Sequence, residues 1–388
     1  MTYASTAGAV AAALPASAPG VADLPEAPPP SPPRSCHHPR PDLPDLPCTL
    51  RHTLLGHTRA VAAVRFSPCG SFLASASADG TARVWDASTG KSLRTLSGHS
   101  AGLSDVCWSP DGALLATASD DLTLRVWDAA TGRLVHELSS HTHWVACCAW
   151  SASGTMLASG AYDESAVVWD AASGRALRAT PAHSDPVVSL AFDGARAAPC
   201  LATGSFDGLI RLWSAATGRC MATLMDCDCS PVSCVRFAPN GGFLLGARLD
   251  SQIALWDCRA KKPVRRFRGH ANDSYCVQAC FATAPWLLGG AEEPSLEQQA
   301  AAQCVLAGSE DHHAYLWAVN GGEGEWGRLL GVLRGREGAD SPGDGHCDVV
   351  LCVDADPVHW GRLATGGHER DCTIKIWDVD RDRCPAEE

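Results

Sequence analysis

The chain has 388 residues, 46% of them hydrophobic, and a formal net charge of −12 at pH 7. That balance fits a soluble globular protein with a large core and excludes the basic stripe that sequence-independent nucleic-acid binding needs; basic residues do not cluster beyond Arg265, Arg266 and Arg268. No apolar run reaches the roughly 18 residues of a membrane span, and because disulfide scaffolds belong to short secreted chains, the 19 cysteines, an odd number, are read as reduced thiols of the cytosol or nucleus.

Residues 1–48 are rich in Ala and Pro, with Pro28-Pro29-Pro30 and Pro32-Pro33. Such a stretch buries too little apolar surface to offset its conformational entropy, so a disordered or polyproline-like tail is expected. The Ala-rich residues 7–14 lack the basic flank of a secretory signal. A late first acid, Asp23, would suit a plastid transit peptide, but scarce arginine and dense proline argue against one.

From Thr49 the texture becomes periodic. Val61, Val64 and Phe66 lead into the turn Ser67-Pro68-Cys69-Gly70, then Phe72-Leu73-Ala74-Ser75, a turn at Asp79-Gly80, and Arg83-Val84-Trp85. The next unit repeats the order through Trp108, Ser109-Pro110-Asp111-Gly112 and Trp127. Seven tryptophans close such units: Trp85, Trp127, Trp169, Trp213, Trp256, Trp317 and Trp377, the first five separated by 42, 42, 44 and 43 residues. His57, His99 and His141 each stand 28 residues before their tryptophan. Short strands at a period of 40–45 residues predict an all-β radial array. Cys107, Cys147, Cys234, Cys276 and Cys304 fall on strand positions as small apolar residues.

With Gly-His, a turn Asp six residues before Trp, and Trp-Asp on the page, the chain resembles the WD-repeat family. The resemblance implies an all-β, seven-bladed WD-repeat β-propeller over residues 49–379, with a disordered N-terminal tail (1–48) and a short C-terminal tail (380–388). It also implies buried structural sets His57/Ser75/Asp79/Trp85, His99/Thr117/Asp121/Trp127, His141/Ser159/Asp163/Trp169 and His183/Thr203/Asp207/Trp213. Blade five has Asp250 and Trp256 but Gly246 and no upstream His, and blade six has Ala307 at the hydroxyl position. Those two blades are expected to rely on packing. Residues 50–54 are expected to complete the last blade and close the ring.

A combination of His, hydroxyl and Asp that recurs four times at one period is a structural network, not a catalytic triad. No nucleophile elbow, phosphate loop or zinc-hydrolase helix is present. Asp226-Cys227-Asp228-Cys229 lacks a matching pair at zinc spacing. No catalytic residue, metal or cofactor is expected.

Segments such as Gly102-Leu103-Ser104-Asp105-Val106, Ala182-His183-Ser184-Asp185-Pro186-Val187 and Tyr275-Cys276 are similar to the WD repeat-containing protein 5 family. Its members are propeller subunits of COMPASS and mixed-lineage-leukaemia type methyltransferase complexes acting on histone three, lysine four. The resemblance implies a central channel taking an Ala-Arg-Thr-like peptide from a histone tail or a partner subunit, at Ala60, Ala78, Gly102, Ser104, Asp120, Cys147, Tyr162, Phe206, Tyr275 and Cys276. Two departures weaken that grip: Ala146 and Gln278 stand where the family sandwiches the guanidinium between aromatic rings. Ala62 and Val188 replace serines, and His368 replaces an apolar residue. Trp144 shares strand parity with Ala146 and is placed to lean over the channel in compensation.

A second partner surface implied by the resemblance comprises Asn240, Phe243, Leu255, Arg265 and Phe281. Residues 284–303 and 335–345 are insertions, the first with Ser295 and Gln298 as a helix cap. The expected function is a non-catalytic, monomeric scaffold within a nuclear hetero-complex, with a cytoplasmic pool open, protein partners, and no direct nucleic acid or membrane. The competing reading is a generic WD-repeat adaptor such as a cullin-RING ligase substrate receptor, for which Trp256-Asp257-Cys258-Arg259 fits a loose Trp-Asp-x-Arg pattern.

Overall fold

A computed structural model of the protein describes residues 43–194, 199–226, 228–284, 303–320, 324–334 and 345–380. The tail up to residue 42, the Ser295/Gln298 cap, residues 335–344 and 381–388 lie outside the described residues. The described strands form seven four-stranded antiparallel sheets, the blades of a β-propeller. Inner strands such as Val61–Phe66, Leu103–Trp108 and Val187–Phe192 are buried almost throughout, because the channel closes one side and neighbouring blades the others. Outer strands such as Ser92–Leu96 and Ala176–Pro181 are largely exposed. The core therefore lies between blades: Trp85 packs with Val61, Val64, Cys352 and Ile376, joining blades one and seven. Gly70, Gly112 and Gly154 hold the first hairpin turn of their blades at φ near +70° (68°, 71° and 70°), a conformation that disfavours a Cβ.

Ring closure follows the expectation. Cys48–Leu54 pairs antiparallel with Ile374–Val379, so the two ends of the domain share blade seven. The packed body begins earlier than Thr49: the Leu46 amide donates to Val332 O at 2.9 Å, the Val332 amide to Pro44 O at 2.9 Å, and the Leu46 side chain is buried in blade six.

The four expected polar sets are present. His57 bridges the Asp79 carboxylate (2.9 Å) and the Ser75 hydroxyl (2.8 Å), and the same hydroxyl accepts the Trp85 indole N–H at 2.9 Å. The blades of His99, His141 and His183 repeat these contacts within 0.1 Å. A fifth set closes blade seven, where His346 joins Asp371 and Thr365 (2.6 Å) and the Trp377 indole donates to Thr365 at 2.9 Å. All five imidazoles are at most 3% exposed, so no set is opened as a nucleophile site would be.

Blades five and six depart as expected in composition, but not both in physics. In blade five Asp226 stands 30 residues before Trp256, the spacing of His183 to Trp213. It ion-pairs with Arg248 at 3.0 Å and Arg266 at 2.7 Å, and Arg248 also approaches Asp250 at 3.3 Å. A carboxylate hydrogen-bonded by Arg266 and lying within ion-pair distance of Arg248 gives this blade a polar pin, where packing was expected to do more of the holding. In blade six Ala307 offers no hydroxyl, and the Tyr315 hydroxyl donates to Asp311 at 2.5 Å. His270 is left buried, with neither ring nitrogen hydrogen-bonded among the described residues.

Candidate functional site

The channel is built by one repeated irregularity. In six blades the pairing of the first two strands shifts register, leaving Ala62, Ser104, Ala146, Val188, Ser233 and Leu351 without a partner across the ladder. A β-bulge of this kind inserts one residue and re-aims it. Ser104, Ala146, Val188 and Ser233 accordingly line a small central cavity, and Gln278 fills the equivalent place in blade six.

That cavity has a volume of only about 30 Å³, room for one or two water molecules and far below that of a ligand pocket. It is narrow because Arg65 crosses it. The Arg65 guanidinium donates to Gln278 Oε1 at 2.6 Å, to Val64 O at 2.7 Å and to Asp105 Oδ1 at 3.4 Å. Burial alone would lower its pKa, but Asp105 and Asp354 outweigh it and hold the cation more firmly. Burial pushes the Asp105 carboxyl up against the opposing pull of Arg65. The channel thus contains an arginine of its own, bonded to the glutamine that stands at an expected aromatic position.

Above it lie the residues named from sequence. Ser104 donates to Asp120 at 3.1 Å, and the Asp120 amide donates to Gly102 O at 3.0 Å. Burial raises the Asp120 pKa to about 6, against the lowering effect of the Ser104 hydrogen bond. Ala60 and Ala78 are buried against Val277, Val349 and Leu351, with Tyr275 packed onto that cluster. A Cβ on Gly102 would come within 3.2 Å of the Ala78 backbone, so the small residues here set the approach of two loops. Cys147 and Cys276 line the cavity wall, where burial raises both thiols, Cys276 to about 12.

Tyr162 and Phe206 meet edge to face with ring centres 6.3 Å apart, and Trp144 stands edge-on to Tyr162 at 5.5 Å. Trp144 is not among the residues lining the cavity. The bulge at Ala146 breaks the parity argument that placed the indole over the channel: Val145 and Cys147 pair with consecutive residues, Ala161 and Gly160. Two residues of this face were not singled out as site residues from sequence: His143, stacked on Tyr162 at 5.8 Å, and Arg59, which pairs with Glu369 at 3.0 Å. His368, noted only as a departure, packs on Tyr275 at 4.9 Å. For Arg65 and Asp105 a signal did exist, since each is a charge inside an otherwise buried strand.

The second surface is also brought together. Phe243 and Phe281 both pack, half-buried, against a cluster containing Leu245, Leu255 and Val305 at the junction of blades five and six. Arg265 pairs across the strands with Leu255 and donates to Gly324 O at 2.8 Å. Asn240 lies in the adjoining turn, its side-chain oxygen accepting the Gly242 amide at 3.1 Å. Leu255 itself is buried, so Phe243, Phe281, Arg265 and Asn240 are what a partner would touch.

The family model of the WDR5 beta-propeller domain matches residues 53–378. The chain belongs to the WDR5 beta-propeller family. Protein Mut11 of Chlamydomonas reinhardtii is 62% identical over 48 residues, 12% of each chain. A WD repeat-containing protein WDS homolog of Arabidopsis thaliana is 28% identical over 157 residues, 40% of this chain and 24% of that one. A WD repeat-containing protein 26 homolog of the same plant is 27% identical over 140 residues, 36% and 18% of the two chains. The chain thus spans 12–24% of the length of these relatives. As a WDR5-type propeller it is a protein-interaction scaffold.

In this WDR5-type frame the Trp-Asp-x-Arg segment is a local turn: Asp257 accepts the Arg259 and Ala260 amides at 2.7 and 2.9 Å, as Asp86 accepts those of Ser88 and Thr89 at 2.8 and 2.9 Å. Among the described residues no group of three or more His, Cys, Asp or Glu side chains is placed to hold a metal ion, and Asp226 is engaged by its arginines. None forms a helix long and apolar enough to cross a membrane.

Proposed function

We propose that this WDR5-type propeller is a non-catalytic, cofactor-free subunit of a nuclear histone three lysine-four methyltransferase complex, docking short arginine-containing peptides of a histone tail or partner subunit on its channel face. The observation that carries this reading is Asp120, a half-buried carboxylate with Ser104 as its side-chain donor, on a propeller face that also presents the paired rings of Tyr162 and Phe206. An anionic group and aromatic rings both suit a guanidinium. Arg65 and Gln278 fill the channel below, so the docked arginine engages the rim instead of a deep aromatic clamp. The junction of Phe243, Phe281 and Arg265 serves a second, acidic and apolar segment of another subunit.

Titration of an Ala-Arg-Thr peptide tests the channel face. Wild type is expected to bind, Asp120→Ala to bind at least about tenfold more weakly, and Ala146→Phe/Gln278→Phe to bind about five- to several-hundred-fold more tightly, from two cation–π contacts of roughly 0.5–2 kcal/mol each. Absence of binding by all three proteins would sink the channel-face reading. Affinity purification from the native organism tests the complex: methyltransferase subunits support it, and a ligase adaptor in their place supports the generic adaptor instead.

A further inference from the structure

A larger cavity lies away from the channel, at the outer junction of blades five and six. It has a volume of about 720 Å³ and is lined by Asp250, Asp273 and Asp311, by the ring of His270, by Trp326, and by Leu43 at the point where the N-terminal stretch enters the body. The channel-face reading does not use it, and neither does the Phe243 surface.

The carboxylates alone would not make a site; His270 does. In five other blades the equivalent imidazole is held by a carboxylate on one side and a hydroxyl on the other. Here the hydroxyl is missing at Ala307 and the carboxylate of Asp311 is taken by Tyr315. His270 is only 4% exposed, yet both ring nitrogens lack a hydrogen bond among the described residues. A buried polar group without a partner carries a desolvation cost that a ligand group at the cavity would recover. Burial lowers its pKa to about 4, so the ring is neutral at pH 7 and presents one donor and one acceptor. Trp326 supplies a flat wall, already covered on one face by Arg268 at 4.1 Å.

Beyond the contacts of Asp311 with Tyr315 and of Asp250 with Arg248, the remaining carboxylate oxygens, with the neutral imidazole acceptor and the indole, are complementary to a cationic, donor-rich side chain, and Arg268 already shows that the wall accepts a guanidinium. The chain carries such a segment next to the cavity. Residues 34–40 contain Arg34, His37, His38 and Arg40 with no acidic residue between them. Arg40 is three residues from Leu43, within about 10 Å of extended chain. We infer that the cavity between blades five and six is the docking site of the chain's own segment 34–40, with Arg40 reaching the carboxylates and His270. The tail is then tethered along the outer rim of the propeller, away from the channel mouth. Linkage through Leu43 raises the effective concentration of this occupant far above that of a free peptide.

Hydrogen–deuterium exchange on the full-length protein tests this directly. Amides of residues 35–42 in wild type are expected to exchange at least about tenfold more slowly than in an unstructured chain, with amides 269–273 protected alongside. Arg34→Glu/Arg40→Glu, which alters only the tail, is expected to abolish protection of the tail and reduce that of 269–273. A labelled peptide of residues 33–42, added to that full-length variant, is expected to restore protection at 269–273. Random-coil exchange of the tail in wild type would overturn the proposal, as would unchanged protection in the double variant. A sequence-scrambled peptide of the same charge restoring protection equally well would also overturn it, making the cavity a general site for basic partners.

Discussion

Asp226 holds blade five between two guanidiniums, Arg248 at 4% side-chain exposure and Arg266 at 19%. Removing one partner of a buried ion pair leaves an uncompensated charge, so Asp226→Ala is expected to cost about 3–5 kcal/mol in denaturant unfolding, whereas Arg259→Ala, on an exposed turn, should cost less than about 0.5 kcal/mol. Asp120 acts in the opposite sense. Its folded pKa of about 6 lies above the 3.8 of an ordinary aspartate, so ionising it costs folding stability above pH 6, and that cost disappears as the pH falls below about 4. Asp120→Asn is therefore expected to stabilise the protein at pH 7, by up to about 3 kcal/mol, and to have little effect at pH 4. Peptide affinity of the wild type should fall as the pH drops through 6, because the protonated carboxyl no longer attracts a cation. At this scale the repeated polar sets were legible, since His57, His99 and His141 keep one spacing to their tryptophans. His346 escaped because it stands 31 residues before Trp377, with an enlarged turn around His368-Glu369-Arg370.

The strand that closes the ring sets the cost of truncation. Cys48–Leu54 covers the edge of Ile374–Val379, and Leu54 is buried against Trp85 and Ile374. Deletion through Leu54 is expected to lose more than about 3 kcal/mol and expose a strand edge that promotes association. Deletion of residues 1–33, which leaves the segment 34–40 in place, should leave the melting temperature nearly unchanged. A cut at residue 45 removes Leu43 and Asp45, which lie against blade six, and should fall between the two. Equal melting temperatures for the shortest and longest truncations would contradict closure. The strands themselves were readable from alternation and turns, but the bulges were not. Nothing local distinguishes Ala146 from its neighbours in Val145–Trp150 as the residue that leaves the ladder. An argument from period two therefore misplaced Trp144.

In the whole molecule each blade packs mainly on its two neighbours, with contacts such as Arg65–Gln278 reaching across the channel, and the ring has no free end at which unfolding starts cheaply. Trp169→Ala in blade three and Trp377→Ala in blade seven are thus expected to shift one common unfolding transition, each by about 3–5 kcal/mol, with similar denaturant slopes. Two separated transitions in either variant would show that the ring does not unfold as a unit. By itself the sequence determined what repeats: seven blades, four of the five polar sets, and a last blade completed from the N-terminal side. These follow from short-range spacing, which a single chain displays directly. Only the tertiary structure decided what lies between the repeats. Arg65 meets Gln278 across 213 residues, Asp226 meets Arg266 across 40, and His270 loses its carboxylate to Tyr315. Such pairings depend on how the blades converge on the channel and splay at the rim, and no local period encodes which charged side chain finds which partner there.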